Sequence, residues 1–221
     1  MIYYIGTKKN LIINIMLIPD VFQKHNYFPK GIIHIGAHLC EEKTIYNNVG
    51  CTDENIIWIE ANPDKVKEVK QNMPTVKIYQ TIISDETKEN IDFYISNNFQ
   101  SSSILPLGRH KVYHPDVFYT SSIKLNSYTL PDFLNYIGED IHKYDTLMMD
   151  IQGAELHVLK GAKDIISNFN AIYLEVNTEE IYEGCGQLNE LKEFLSLYDF
   201  KMVDINMTSC HWGDAFFIKL K

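Results

Sequence analysis

The chain has 221 residues, enough for one domain with a sizeable core and little more. A formal charge of −9 and a pI near 5.3 weigh against a general nucleic-acid binder, which needs a basic face. Four scattered cysteines, Cys40, Cys51, Cys185 and Cys210, form no C-x-x-C pair and no disulfide-like spacing, so they read as reduced thiols of an intracellular protein.

Residues 1–29 read as an N-terminal extension that packs on a domain spanning 30–221. The run Leu11 to Ile18 follows Lys8-Lys9, but Asn14 interrupts it and no small-residue cleavage site follows. It is too short to cross a bilayer, so the expected location is cytoplasmic, without membrane insertion. Asp20 to His25 suits a short helix. The domain opens with an apolar strand from Gly31 to Ile35, the turn Gly36-Ala37-His38-Leu39-Cys40, and a helix from about Leu39 to Asn48 carrying Glu41 and Glu42 in its first turn. A second apolar strand, Asn55 to Ile59, leads to Glu60, and Asn62-Pro63 starts the next helix. A third strand runs from Val76 to Tyr79 and extends toward Ile83, with Ser84-Asp85 closing that edge. Ile91 to Ile95 and Thr120 to Leu125 read as strands around a hydroxyl-rich loop, Ser101-Ser102-Ser103, and a segment carrying Arg109, His110 and His114. Thr129 caps a helix that Gly138 ends. A fourth strand, Thr146 to Met149, ends at Asp150, and Gly153 opens a helix to Ile166. Strands at Ala171 to Val176, Phe200 to Ile205 and Ala215 to Leu220, with a helix over Leu188 to Leu197, complete the chain. Strands alternating with helices imply a parallel sheet, and the last two, lacking a long helix between them, imply an antiparallel hairpin at one edge.

A strand, a glycine turn, a helix and a second strand tipped with an acid form a nucleoside-binding unit, with Glu60 placed to accept from ribose hydroxyls. The fingerprint G-x-G-x-x-G is absent, and a pyrophosphate cradle needs more glycine than Gly36. The turn therefore suits a cofactor without phosphates, such as S-adenosylmethionine. Asp150 stands at the ligand edge of an open α/β sheet, with Glu175 and Asn177 ending the next strand on the same edge. These three oxygen-bearing side chains suit either a divalent cation or a polyol. Glu155 serves either the helix dipole or the site.

Four stretches resemble the FkbM family of methyltransferases: Ile33-His34-Ile35-Gly36-Ala37-His38; Trp58-Ile59-Glu60-Ala61-Asn62-Pro63; Met149 to Leu156 with Leu159-Lys160-Gly161-Ala162; and Leu174-Glu175-Val176-Asn177 with Tyr182-Glu183-Gly184-Cys185. Cys40 stands where the family often has a second glycine, and His38 where many members have Asn. The resemblance implies the class I methyltransferase fold, a Rossmann-like α/β architecture with a seven-stranded, mostly parallel sheet and an antiparallel last strand. It also implies O-methylation from S-adenosylmethionine, commonly of a sugar or polyketide hydroxyl.

On this reading the cofactor side comprises Gly36, Ala37, His38, Glu60, Ala61, Asn62, Ser84, Asp85, Asp150 and Gln152. The substrate side, for a sugar, glycan or nucleotide sugar, comprises Ser101, Ser102, Ser103, Arg109, Glu155, Glu175 and Asn177. Asp150 or His38 is the expected base, since a neutral alcohol is a poor nucleophile until its proton is taken. Two alternatives stand beside this reading. One is metal-assisted transfer with a cation on Asp150, Glu175 and Asn177. The other is a non-catalytic protein that binds the cofactor or a glycan.

Overall fold

A computed structural model describes residues 18–220. The Leu11–Leu17 part of the N-terminal run lies outside them. The first described element is helix α1 (Ile18–Lys24). Its Val21 and Phe22 are buried, and Phe22 meets Phe216 with ring centroids 5.8 Å apart. Lys24 and His25 both reach Asp204.

The main sheet has seven strands in the order β3-β2-β1-β7-β8-β10-β9. They are β1 (Ile32–Ile35), β2 (Ile56–Glu60), β3 (Ile78–Gln80), β7 (Thr146–Met149), β8 (Ala171–Asn177), β9 (Phe200–Met207) and β10 (Trp212–Lys219). Strands β3, β2, β1, β7 and β8 run parallel, and β10 runs antiparallel to both of its neighbours. The class I architecture expected from the sequence is thus present. The closing antiparallel hairpin lies at one edge as expected, with the last strand on its inner side and β9 outermost. The side chains explain the order. Strand β10 buries Ala215, Phe216 and Phe217, whereas β9 carries Lys201, Asp204 and Asn206, and polar residues blunt an exposed edge. Strands β1, β2, β7 and β8 are buried throughout, as parallel strands covered on both faces must be.

Helices α2 (Lys43–Asn48), α3 (Pro63–Asn72), α5 (Leu130–Ile137), α6 (Glu155–Gly161) and α7 (Leu188–Ser196) flank the sheet. Asn62 caps α3 by accepting from the Asp64 amide at 3.0 Å, and Gly138 ends α5 in the left-handed region at φ 70°. Two expected helices are shorter. Residues 39–42 are a turn, because His38 and Cys40 take positive φ (43° and 57°) and the Glu41 carboxylate captures the Leu39 amide. Helix α6 stops at Gly161, and a single 3₁₀ turn follows at Ile166–Asn168.

The third strand does not extend to Ile83. After β3 the chain leaves the main sheet: β4 (Ile82–Ile83) joins β6 (Tyr119–Tyr128), which pairs with β5 (Lys88–Ser96). This second sheet is a ribbon inserted between β3 and β7. A short helix, α4 (His110–Tyr113), lies in the loop that joins its two long strands.

Between β1 and β7 the chain path reverses direction across the sheet. In an open α/β fold, ligands bind at such a switch point, outside the carboxyl ends of the strands. Gly36, Glu60 and Asp150 all stand there. Among the described residues no helix is long and apolar enough to cross a membrane.

Phe216, 0% exposed, touches Phe22, His25, Tyr27 and Tyr173. Phe216→Ala should cost about 3–5 kcal/mol, read by urea denaturation. A loss below about 1 kcal/mol would show that β10 does not anchor α1.

Candidate active site

The turn after β1 is built by close backbone approach. Gly36 has φ +86°, and a Cβ there would stand 1.9 Å from the Asp150 carbonyl oxygen. Only glycine fits. The Gly36 and Ala37 amides both donate to the Ile59 carbonyl, at 2.9 and 3.0 Å. The His38 amide donates to Glu60 Oε2 at 2.8 Å, and the Asn62 amide donates to Glu60 Oε1 at 2.7 Å. The Leu39 amide donates to Glu41 Oε2 at 3.0 Å, and the Cys40 amide to the Ala37 carbonyl at 2.7 Å. Every amide from Gly36 to Cys40 therefore has an acceptor, and two of those acceptors are carboxylates. A phosphate would find its donors taken and negative charge in its place.

Burial raises the Glu60 carboxyl above its ordinary value, against the pull of the Asn62 and His38 amides. A carboxylate has about four lone-pair sites, so Glu60 retains capacity for a donor from the cleft it lines. His38 is more than a turn residue. Its Nδ1 lies 2.6 Å from Glu41 Oε1. Burial pulls the imidazole down, but the hydrogen bond and charge of Glu41 outweigh it and hold His38 above its usual value. Glu41 is held correspondingly low by His38 despite its burial.

The loop after β7 centres on Gln152, whose backbone takes φ 58°. Its amide nitrogen donates to Asp150 Oδ1 at 2.7 Å and to Glu175 Oε2 at 2.8 Å. Its amide oxygen accepts from the Tyr182 hydroxyl at 2.6 Å, and its carbonyl accepts from the Ser103 hydroxyl at 2.8 Å. Gln152 thereby fixes Asp150 at the mouth and ties strand β8 and the ribbon to it.

A cleft enclosing about 830 Å³ of atom-free space, part of it open to solvent, lies over the switch point. Its walls include Gly36, His38, Glu42, Glu60, Ala61, Asn62, Lys65, Asp150 and Gln152 from the main sheet side. Phe93, Phe99, Ser102 and Ser103 come from the ribbon side.

Of the cofactor-side residues expected from sequence, the structure brings Gly36, His38, Glu60, Ala61, Asn62, Asp150 and Gln152 together on this cleft. Ala37 is instead packed in the core. Ser84 and Asp85 lie off the cleft: the Ser84 hydroxyl bonds Asp85, the Ser84 carbonyl presses on Gly161, and Asp85 reaches His157. Thr81, Ile82 and Ile83 take that wall, because the chain turns into the ribbon one strand earlier than expected.

The substrate-side expectations need more correction. Ser102 and Ser103 line the cleft, but their hydroxyls serve Phe99, Ser96 and Gln152, and Ser101 pairs with Asn98. They brace the loop. Arg109 lies away from the cleft, exposed and paired with Glu179. Glu155, 1% exposed, accepts from the Ile151 and Gly153 amides and so closes the loop onto α6. Glu175 is buried behind Gln152. Asn177 is wholly buried, and both polar atoms of its amide lack a partner. Asp150, Glu175 and Asn177 therefore do not converge on one open point. Among the described residues no three His, Cys, Asp or Glu side chains are grouped to hold a metal ion.

Three features escaped the sequence. Glu41 is the partner of His38. Glu42 lines the cleft, and burial, with the charges of Glu41 and Asp150 adding, pushes it up to about 7. Asp214 pairs in register with Glu175 across β8 and β10, and burial and Asp150 push it to about 7. None has a motif. Their grouping arises only when β10 inserts beside β8 and the turn folds back on β2.

The Methyltransferase FkbM domain matches residues 29–202, well over half of the chain. The chain belongs to the FkbM methyltransferase family. It is 27% identical over 154 residues to the 2-O-methyltransferase NoeI of Sinorhizobium fredii, an overlap of 65% of this chain and 62% of that relative. The chain thus spans less than two thirds of the length of that relative. Among solved structures, precorrin-6y C5,15-methyltransferase from Geobacter metallireducens matches at TM-score 0.50 and 12% identity, covering 97% of this chain and 94% of that one. Magnesium protoporphyrin IX methyltransferase from Synechocystis, with bound SAM, matches at TM-score 0.47 and 9% identity, covering 91% and 76%. At such identities the precorrin enzyme speaks to the fold alone.

Two expectations follow from the charges. The carboxyls of Glu42, Asp214 and Glu155, the last pushed by burial to about 8, sit above their unfolded values. A raised acid holds its proton longer when folded, so stability should fall as pH rises from about 5 to about 8. Urea denaturation at pH 6 and pH 8.5 should give the larger stability at pH 6, and Asp214→Asn should narrow the gap. Equal or inverted stabilities would contradict the raised values. For His38 the sign also follows from a raised value: its pairing with Glu41 stabilises below pH 6.5 and fades as pH rises through the folded value. Glu41→Gln should lower the His38 midpoint, read by NMR titration of the imidazole, and an unmoved midpoint would dissolve the pair.

Proposed function

We propose that this chain is an S-adenosylmethionine-dependent O-methyltransferase whose acceptor is a hydroxyl of a sugar or glycan. The observation that carries the cofactor half is the filled turn. Carboxylates of Glu60 and Glu41 occupy the amides that a dinucleotide would need. Glu60, with Glu42 and Asp150, lines a cleft suited to a cofactor that bears sulfonium and ammonium charges. Glu60 would accept from the ribose hydroxyls, and Gly36 permits close approach of the turn. When bound, the cofactor supplies an electrophilic methyl group.

The protein's own task is then to bind the acceptor, align its oxygen and take its proton. Asp150 is placed for the proton. It stands on the cleft at the tip of β7, and Gln152 holds its carboxylate in one orientation. His38 faces the same cleft from the opposite turn. The acceptor reading draws on the FkbM family and on the 2-O-methyltransferase relative, and on a ribbon wall that offers both apolar side chains, Phe93 and Ile104, and a polar one, Gln100.

Asp150→Asn should lower turnover by about 10²–10⁴ while changing the affinity for S-adenosylhomocysteine by less than about threefold. Labelled methyl transfer to glycan and nucleotide-sugar acceptors, analysed by mass spectrometry, reads the first, and calorimetry reads the second. Near-normal turnover would remove Asp150 as the base. No transfer to any hydroxylated acceptor by the unmodified chain would overturn the function itself.

A further inference from the structure

Phe99 is out of place for a solvent-exposed aromatic. It is 48% exposed, yet it lines the cleft. Its backbone takes φ 62°, a left-handed conformation that costs a bulky residue energy and is held only when its surroundings fix it. Here they do. The Phe99 amide donates to the Ser96 carbonyl at 3.0 Å, and the Phe99 carbonyl accepts from the Ser102 hydroxyl at 2.8 Å. Ser102 also accepts from the Ser96 amide at 3.1 Å. The turn at 96–102 thus spends its serine hydroxyls on presenting one aromatic ring.

The ring is also placed. Lys65 Nζ lies 4.9 Å from its centroid. Lys65 stands in the first turn of α3, five residues beyond Glu60 in sequence. Through Lys65 the Phe99 ring is tied to the first turn after β2, where Ala61 and Asn62 also line the cleft. If Glu60 accepts from a ribose, the base attached to that ribose lies within reach of this wall. A nucleobase offers a flat π-face, and an aromatic ring with one open face is what such a surface stacks on.

We infer that Phe99 is the platform for the cofactor's nucleobase, a lid side chain supplied by the ribbon and steadied by Lys65. This rests on the S-adenosylmethionine reading and deepens it, since it assigns a binding role to a segment outside the βαβ unit. Stacking of this kind needs no sequence motif in the turn after β1.

The test is binding, not activity. S-adenosylhomocysteine and adenosine are titrated by calorimetry into the full chain, into Phe99→Asn and into Phe99→Trp. Asparagine tolerates positive φ and so keeps the turn while removing the ring. Phe99→Asn should weaken both ligands by about tenfold or more with an unchanged melting temperature. Phe99→Trp should bind at least as well as the unmodified chain, and its fluorescence should be quenched by adenosine alone. Unchanged affinity in Phe99→Asn would overturn the inference, and so would a weakened acceptor KM with unchanged S-adenosylhomocysteine affinity, which would assign the ring to the acceptor. Should Phe99→Asn melt early, the tryptophan variant decides: quenching by adenosine supports the platform, and its absence refutes it. An unmodified chain that binds neither ligand would overturn the cofactor reading and this inference with it, a result distinct from a variant that binds as well as its parent.

Discussion

The Glu60 carboxylate is the interaction on which the site depends. One oxygen holds the turn after β1 through the His38 amide, and the other holds the turn after β2 through the Asn62 amide. Hydrogen bonds to a charged group contribute roughly 1.5–3 kcal/mol each, so this one side chain fixes both lips of the cleft. It also decides what the cleft rejects. A turn whose amides already face carboxylates repels phosphate. The glycine-poor turn and the acid are therefore one device. Cys40 stands in the same turn at φ 57°, with its amide held by the Ala37 carbonyl.

Gln152 plays the matching part on the far side of the switch point. Asp150, Glu175, Glu155 and Asp214 form a group of carboxyls, the middle two buried, in which Asp150 raises the other three and Glu155 and Asp214 also raise Glu175. Like charges at this density are tolerated only where protons or donors neutralise them. Gln152 provides two N–H donors, to Asp150 and Glu175, and the Ile151 and Gly153 amides serve Glu155. Gln152 thus contributes a neutral amide donor to the orientation of Asp150.

The sequence made the main sheet legible because parallel strands buried on both faces read as apolar runs: Ile32–Ile35, Ile56–Ile59 and Ala171–Val176 were plain. Gly36, Glu60 and Asp150 were legible for the same reason, since each follows such a run. What was not legible depends on contacts distant in sequence. Nothing local to Phe200–Ile205 says that the later strand inserts inside it. Nothing in Ser101-Ser102-Ser103 says whether its hydroxyls face a ligand or their own loop. They face the loop. Polarity in Ser84, Asp85 and Arg109 does not mean availability, since each has a protein partner.

The ribbon is where this chain departs from a bare nucleotide-binding sheet. It leaves the main sheet after β3 and returns before α5, and the loop between its two long strands supplies Phe99, Ser102 and Ser103 to the cleft. Ser103 then reaches across to the Gln152 carbonyl, the same residue that orients Asp150. A shift in the ribbon would therefore reach the Asp150 carboxylate through a single side chain and its own backbone. On the proposed reading, an acceptor entering against the ribbon presses on the element that aims the base. Acceptor choice and proton abstraction would then be coupled through Gln152 and not set independently.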